Sequence, residues 1–247
     1  MVAARESVRI SDAARVLGVA PSTASRLMAM LQYHDLVVHD SESRVYRAGP
    51  ALVRLGFDVM ERMSVRRLAF PFVQRLAREF DETVHFLVLD GASILFVDGV
   101  ESGRVVRISR RRGELRPAHC TSGGKAMLAT LRHDDFLRRY PQRQLQPSTP
   151  WSLTSRDALE RELAEIKVRG YATSAQECEP DVAAIGAAIV STSGKLIGAL
   201  SIAVPTTRYD PATFTTFAEP LVKVAAEAGE RLAFAELLDL THEEELS

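Results

Sequence analysis

Four polar side chains at the start of a predicted helix are the first candidates for chemistry in this sequence. They are Ser22, Thr23, Ser25 and Arg26. The apolar residues among and after them follow the i, i+3, i+4, i+7 spacing of one buried stripe: Ala24, Leu27, Met28 and Leu31. The hydroxyls and the arginine are therefore predicted on the opposite face, near the leading end of the helix. Side chains of these types in that position contact phosphates and base edges when a helix enters the major groove of DNA.

A short helix and a glycine turn precede this pattern. Ser11 is the predicted N-cap of a helix over residues 12–17, and Gly18 is predicted to end it, because glycine tolerates the left-handed conformation of a C′ position. Pro21 suits the first position of the second helix, although Ala20 before it cannot cap with its side chain, which costs about 1 kcal/mol. Helix, tight turn and helix form a helix-turn-helix. A helical hairpin packed inside a core is the alternative.

A predicted β-hairpin follows the second helix. Residues 36–39 and 44–47 have the composition of strands, and the residues between them are typical of a turn. Arg44 and Arg47 are predicted to face outward from the returning strand, beside the phosphate backbone of bound DNA. A hairpin in this place is the wing of a winged helix-turn-helix, and it favours DNA binding over the core hairpin.

The first seven residues are too few for the helix that normally covers the core of such a domain. A unit of about 50 residues is already marginal in stability. We therefore expect the first helix of the domain to be missing, and either the natural start to lie upstream of Met1 or the chain to have been shortened.

Composition and charge set the class of protein. The chain has 247 residues, 46% of them hydrophobic and 26% charged, which is typical of a globular protein with two domains. Residues 1–68 contain 10 Lys/Arg and 7 Asp/Glu, and the remainder contains 21 and 25, so a segment of charge +3 precedes a body of charge −4. Nucleic acid is thus compatible with the first segment only. Without an apolar run long enough to span a bilayer, a signal peptide or a disulfide framework, we expect a cytoplasmic protein.

The rest of the sequence predicts an α+β domain that follows a linker helix. Pro50 is predicted to begin the linker, which packs on a partner subunit or in the chain's own core. Its apolar residues recur at helical spacing: Leu52, Leu55, Val59 and Met63. Another helix is predicted from Pro71. Further helices are predicted over residues 121–131, 157–168 and 212–238, and strands over residues 83–90, 93–98, 104–109, 185–190 and 196–204. Helices that flank a mostly antiparallel sheet define the α+β class.

The stretch TSGGKA places glycines where a helix begins. Free backbone N–H groups of Ser122, Gly123 and Gly124 would favour an anion there. Ala126 follows the lysine where a phosphate-binding P-loop has Ser or Thr, so ATP binding is not expected. The basic run Arg110–Arg112 is predicted to be a solvated loop that attracts acidic ligands.

Two cysteines offer metal or redox chemistry if their segments meet. Cys120 follows His119, and Cys178 follows Glu177. The spacing matches no CxxC or HxxxH pattern, so two core or pocket cysteines are favoured over a metal or redox site. A cysteine hydrolase is disfavoured further, because no group that would orient a base is identifiable.

Three segments together resemble the IclR family of transcriptional regulators. They are RISDAARVLGVAPSTASRLMAMLQYHDLV with YRAGPALVRLG, then PAHCTSGGKAMLA, then KVRGYATSAQECEPDVAAIGAAIVSTSGKLIGALSIAVPTTR. The resemblance covers nearly the whole chain in the right order. It implies a winged helix-turn-helix over residues 1–49, a linker helix over 50–69 and a GAF-like effector-binding domain over 70–247, assembled as dimers or tetramers. It implies no enzymatic activity and no cofactor.

The resemblance also implies an effector pocket. Its candidate residues are Ser122, Gly124, Ser174, Ala184 and Ser201. Family members often carry Asp near Ser174, Cys at Ala184 and Ser at Ala203, so this pocket is expected to be less polar and to take a larger or more apolar effector, such as an aromatic acid. The predicted function is a DNA-binding repressor controlled by a small organic carboxylate. The alternative is a GAF-type small-molecule, redox or metal sensor with a degenerate winged domain that signals through a protein partner.

Overall fold

The chain divides into two compact units. The computed structural model describes residues 7–40, 44–52 and 64–244. The first unit spans Met1–Met63 and the second spans Ser64–Ser247. The boundary falls inside the predicted linker helix, so residues 64–69 of that prediction belong to the first helix of the second unit.

The first unit has the predicted order of elements. These are α1 (Ile10–Leu17), α2 (Pro21–Tyr33), β1 (Val37–Asp40), β2 (Val45–Ala48) and the helical residues 50–52. The two strands are antiparallel, and Val8 adds a single β-bridge to Tyr46. The core cluster combines Val8 with residues of α1, α2, β1 and β2: Ala13, Ala14, Ala24, Met28, Val37 and Tyr46.

Three details of the first unit test the sequence analysis. Gly18 ends α1 in the left-handed conformation at φ 65°, as predicted. The predicted N-cap is wrong, because α1 begins at Ile10 after Arg9 and Ser11 lies inside the helix. Leu27 is 37% exposed and not part of a buried stripe. Leu55, Val59 and Met63 lie outside the described residues.

The second unit is an α+β domain built on one six-stranded sheet. Its strands are β3 (Thr83–Asp90), β4 (Ser93–Val100), β5 (Leu115–Pro117), β6 (Ala172–Ala175), β7 (Val182–Val190) and β8 (Leu196–Pro205). Its helices are α3 (Ser64–Phe80), α4 (Ser122–Leu128), α5 (His133–Arg139), α6 (Arg156–Arg169) and α7 (Pro211–Glu244). The strand order is β5-β4-β3-β8-β7-β6, and every neighbouring pair is antiparallel.

Helices cover both faces of this sheet. Leu87 and Ala199 lie on the face that packs against α4 and α6. Because successive side chains of a strand alternate between faces, Phe86 and its register partner Asp98 point to the other face. There Arg66 of α3 donates to Asp98 at 2.8 Å, and α7 packs against α3.

Several predicted elements of the second unit differ from the structure. Residues 104–109 are not a strand, and the edge of the sheet is the short β5 instead. Pro71 lies inside α3 and does not begin it. Strand β6 and helix α5 were not predicted.

None of the described helices is both long and apolar enough to cross a membrane.

Candidate functional site

The polar residues of α2 lie on its exposed side. Ser22, Thr23, Ser25 and Arg26 are all exposed. Ala24 is fully buried among them, and Met28 follows it one turn later on the same face. The N-cap residue of α2, Ala20, makes no side-chain hydrogen bond to the helix start, and the first turn of α2 contains no acidic residue. The positive end of the helix dipole is therefore left to an external anion such as a DNA phosphate.

The wing presents its arginines to solvent. Arg47 is exposed on β2 opposite Val38, and Arg44 is exposed in the left-handed region at φ 53°. Gly49 joins the end of the wing to the end of α2. A Cβ at Gly49 would lie 2.1 Å from the carbonyl oxygen of Asp35, so no other residue fits this close approach of two backbones. The hairpin is thereby held at a fixed position beside α2.

The sheet of the second unit lines one side of a cavity, and four of its strands contribute two rows of residues to it. Ser174, Ala184 and Ala203 form one row across β6, β7 and β8, and Gly186, Ser201 and His85 form the next row across β7, β8 and β3. All of these residues except Gly186 line the cavity. The apolar part of the lining is completed by Leu87, Ile94, Phe96, Ile108 and Val182. The volume of the cavity is about 50 Å³.

Helix α4 closes the cavity against the sheet through the residues of TSGG. The Oγ atoms of Ser122 and Ser201 are 3.1 Å apart, and Thr121 accepts a hydrogen bond from the Gly124 N–H at 3.1 Å. A Cβ at Gly186 would lie 2.6 Å from the Gly123 nitrogen, so the helix start and β7 touch through bare backbone. A Cβ at Gly123 would lie 2.1 Å from the Leu87 Cδ1, and one at Gly124 would lie 2.2 Å from the Ala118 carbonyl oxygen, so both glycines of the motif are also needed for close packing. Gly124 does not belong to the cavity lining, and its N–H is already used by the cap.

Two arginines bring positive charge to the cavity. Arg111 and Arg116 both line it, together with Glu179. The Arg111 Nη1 lies 2.5 Å from a carboxylate oxygen of Glu179, and the Arg116 Nη2 lies 2.8 Å from Glu114. The Arg111 side chain is only 11% exposed. The prediction that Arg110–Arg112 is a solvated loop is therefore wrong for Arg111, which folds back over the pocket.

The segment that carries Glu179 is held in place by contacts made at Glu177, two residues earlier in the chain. Lys125 of α4 is fully buried, and its Nζ lies 2.6 Å from Glu162 and 2.7 Å from Glu177. Ser152 donates to the backbone carbonyl of Glu177 at 2.6 Å. Burial raises the pKa of Glu177, and Lys125 opposes that rise. These contacts fix residue 177 while leaving the exposed carboxylate of Glu179 two residues later to pair with Arg111.

The two cysteines do not form a reactive centre in this structure. Both are free thiols. Cys178 lines the cavity, where burial raises its pKa to about 12, so the thiol stays protonated near neutral pH and is a poor nucleophile. Cys120 is buried, with the Ser148 hydroxyl 3.6 Å from its sulfur. Among the residues described, no group of three or more His, Cys, Asp and Glu is placed to hold a metal ion.

The structure thus brings four of the five predicted pocket residues together. They are Ser122, Ser174, Ala184 and Ser201. Three further lining residues were not predicted: His85 in the middle of β3, Phe96 on the neighbouring β4 and Arg116 on the three-residue edge strand β5. Their polar or aromatic side chains lie in ordinary strand patterns, and only the pairing of distant strands distinguishes them.

Comparison with known proteins decides the family. A family model described as Bacterial transcriptional regulator IclR C-terminal matches residues 57–229, and one described as IclR helix-turn-helix domain matches residues 2–41. The chain belongs to the IclR family of transcriptional regulators. This IclR-type regulator is 36% identical to the HTH-type transcriptional regulator Rv1719 of Mycobacterium tuberculosis over 193 residues, which are 78% of this chain and 73% of that protein.

Two solved structures extend the comparison. The crystal structure of the Thermotoga maritima IclR matches with a TM-score of 0.68 at 25% identity, covering 93% of this chain and 92% of that one. A double mutant of the PobR inducer-binding domain from Acinetobacter, in complex with 3-hydroxybenzoic acid, matches with a TM-score of 0.59 at 25% identity. That match covers 65% of this chain and 95% of the domain.

Membership of the IclR family confirms three predictions for this regulator: the family itself, the α+β fold that follows a helix-turn-helix, and the absence of enzymatic activity. The first unit binds DNA. The alternative of a sensor with a degenerate winged domain loses its premise, because the helix-turn-helix model matches the region that contains α1 and α2.

Proposed function

We propose that this regulator is a cytoplasmic repressor whose affinity for its operator is controlled by a small organic carboxylate bound in the GAF-like second unit. The observation that carries the proposal is the pair of arginines at an otherwise mostly apolar cavity. Arg111 and Arg116 are the cations of the lining, and Glu179 is its carboxylate. Glu114 pairs with Arg116 but does not line the cavity, so two guanidinium groups and one carboxylate face the cavity itself, which favours an anion there.

The ion pair over the cavity supports a carboxylate in particular. A guanidinium is planar and binds a carboxylate through two parallel N–H···O bonds. Glu179 presents such a carboxylate to Arg111 at 2.5 Å from an exposed position. An effector carboxylate can replace Glu179 on Arg111 because the Glu179 side chain is 41% exposed, so its displaced carboxylate regains water while the largely buried guanidinium keeps an anionic partner.

The size and polarity of the rest of the cavity limit which carboxylic acids can bind there. Ser174, Ala184 and Ala203 form one weakly polar row, and Phe96 adds an aromatic wall. One water needs about 10–15 Å³ of such volume, so the cavity takes about four water-sized groups as it stands. An aromatic acid needs movement of the apolar side chains. The 3-hydroxybenzoic acid bound to the PobR domain supports an aromatic acid here.

DNA binding by two copies of the chain follows from the geometry of operators. A dimer, or a tetramer built from dimers, presents two α2 helices to half-sites about one helical turn apart on a pseudo-palindrome. Ser22, Thr23, Ser25 and Arg26 read the bases or hold the adjacent phosphates, while Arg44 and Arg47 contact the backbone. Repression needs no contact beyond this, because a protein bound over a promoter excludes polymerase from it.

Fluorescence anisotropy with DNA from upstream of the gene tests the DNA part of the proposal. We expect tight binding that resists random competitor DNA and weakens steeply with salt, because each neutralised phosphate releases counterions. A promoter fused to a reporter should be less active when the protein is present. Equal affinity for upstream and random DNA would contradict the operator proposal, and higher reporter activity would contradict repression.

Thermal unfolding with a panel of acids tests the effector part. The panel contains acetate, pyruvate, benzoate and 3-hydroxybenzoate, each with its amide as an uncharged control. We expect at least one acid, and none of the amides, to raise the melting temperature. Arg111→Met should remove that shift. Arg107→Ala is the matched control, because Arg107 lies on the same loop, is exposed and pairs with Glu101 outside the cavity. Stabilisation by the amides alone would overturn the carboxylate assignment.

A further inference from the structure

His85 has a ring nitrogen that the protein leaves without a hydrogen bond. The residue lies in the middle of β3, is 1% exposed and lines the cavity. Its Nε2 is buried and has no hydrogen-bond partner in the part of the chain that the structure describes. A buried polar atom of this kind costs free energy unless a partner satisfies it.

The other ring nitrogen fixes the chemistry of Nε2. The backbone carbonyl of Ser109 makes a hydrogen bond with the ring. Since Nε2 has no partner, Nδ1 makes that bond, and because a carbonyl only accepts, Nδ1 carries the hydrogen. Burial, helped by the charge of Arg111, lowers the pKa of His85 to about 4. The ring is therefore neutral near pH 7, and Nε2 is a bare acceptor that needs a donor.

The residues around His85 supply no such donor. Its register partners are Gly99, which has no side chain, and Ser201, whose hydroxyl is 3.1 Å from that of Ser122. Phe96 meets the ring edge-to-face at 4.9 Å between centroids and helps to hold its orientation. Arg111 is paired with Glu179. The unsatisfied acceptor thus belongs to a residue that lines the same cavity as Arg111 and Arg116.

We propose that His85 accepts a hydrogen bond from a hydroxyl group of the effector, so that the effector is a hydroxylated carboxylic acid. This inference rests on the proposed function: Arg111 and Arg116 hold the carboxylate, and His85 selects for the hydroxyl. An analogue that lacks the hydroxyl would leave Nε2 unpaired, and a site built to bond a hydroxyl rejects such an analogue far more strongly than it rejects a change in size. His85 is therefore the specificity-determining residue of the cavity.

Calorimetric titration of the full chain with matched acids tests this selectivity. The pairs are lactate with propionate, and 3- or 4-hydroxybenzoate with benzoate, so that small and aromatic effectors are both covered. We expect one hydroxylated acid to bind at least tenfold more tightly than its partner. His85→Phe, which keeps an aromatic ring without an acceptor, should reduce that ratio to below threefold. His85→Gln, which restores an acceptor oxygen, should recover part of it.

His119→Phe is the matched control. His119 is also buried in the same unit and also has one unpartnered nitrogen, Nδ1, while its Nε2 lies 3.1 Å from the carbonyl oxygen of Gln146. It does not line the cavity, so its substitution should leave the ratio unchanged. A purely structural role of His85 predicts lower stability of the variants and an unchanged ratio of affinities.

The possible outcomes separate this inference from the proposed function. Equal binding of hydroxylated and unhydroxylated acids by the wild type, or an unchanged ratio in His85→Phe, would overturn the role of His85 and leave the carboxylate assignment standing. If no acid of either kind binds, both fail. Should His85→Phe not fold, ¹⁵N spectra of the wild-type imidazole decide: the Nε2 resonance should move towards a hydrogen-bonded value with the hydroxylated acid and stay with its partner.

Discussion

The first unit displays its functional side chains outward, whereas the second unit encloses its own. The residues of α2 and the wing that we propose to contact DNA are exposed around a small buried core. Those of the effector cavity come from several strands and one helix, and most of them are buried. Of the elements of the first unit whose full extent is described, α1, α2, β1 and β2, none is longer than 13 residues.

The difference extends to the apolar surface. Among the described residues, six of the eleven large hydrophobic side chains that are exposed belong to the first unit: Val16, Leu17, Leu27, Met30, Tyr33 and Val38. The second unit has about three times as many residues and contributes the other five. A small domain cannot bury its apolar residues as completely as a large one. The DNA-binding unit therefore depends on local helix geometry, and the effector unit depends on long-range packing.

The largest expected effect is the loss of sequence-specific DNA binding when the face of α2 is removed. Ser22→Ala combined with Arg26→Ala should weaken operator binding by about 3 kcal/mol, because a good base contact contributes about 1–3 kcal/mol. The melting of the second unit should not change. Anisotropy with operator and random DNA measures the effect, and Arg15→Ala on α1 is the control, with equal effects on both DNAs expected. An unchanged ratio in the double variant would place the recognition surface elsewhere.

The contact between α4 and β7 should be the most sensitive point of the second unit. In Gly186→Ala the new Cβ would lie 2.6 Å from the Gly123 nitrogen and 2.8 Å from its Cα, so backbone must move. Overpacking of this kind costs about 2–3 kcal/mol. Gly103→Ala is the control, because its nearest neighbour is the Asp81 carboxylate oxygen at 3.6 Å. Calorimetry should show a lower transition for the second unit only, and equal melting of the two variants would contradict the close packing.

The features that could be predicted from the sequence are mainly those of the first unit, which depend on local geometry. The turn at Gly18, the start of α2 at Pro21 and the exposure of Ser22 and Arg26 depend on a few neighbouring residues, and all four agree with the structure. Leu27 was assigned to the core by spacing alone. It lies at the margin of the stripe, and a core as small as this one covers only the centre.

The cavity could be predicted only where a family resemblance supplied the positions. Ser174, Ala184 and Ser201 were found in that way. His85 and Arg111 were not assigned to it, because their meeting depends on the pairing of β3 with β8 and on the path of the irregular residues 101–114. The expected strand at 104–109 has strand-forming residues, yet the neighbour of β4 in the sheet is β5. Local propensity does not decide which of two segments occupies an edge.

The enclosed position of His85 should make the second unit sensitive to acid. Its pKa is about 4 in the folded chain and 6.5 in an ordinary environment. Between these values the unfolded state binds a proton and the folded state does not, so stability falls as pH falls, by about 2 kcal/mol between pH 7.5 and pH 5. Chemical denaturation of the wild type and His85→Phe at pH 7.5 and 5 measures the difference. Parallel loss of stability in both proteins would show that other groups carry the acid sensitivity.

The smallest effect is expected at the ion pair of Arg111 and Glu179 over the cavity, in which only Glu179 is exposed. Glu179→Gln removes the carboxylate that competes with the effector for Arg111, so the acid found by thermal unfolding should bind more tightly. The gain should not exceed about fivefold, because the Glu179 side chain is 41% exposed and the hydration of its carboxylate offsets most of its attraction to the largely buried Arg111. Glu165→Gln, on the exposed side of α6, makes the same change of charge and should leave the affinity unchanged. Weaker binding in Glu179→Gln would mean that Glu179 itself helps to hold the effector. Its exposed carboxylate would then be part of the binding site and not a competitor for Arg111.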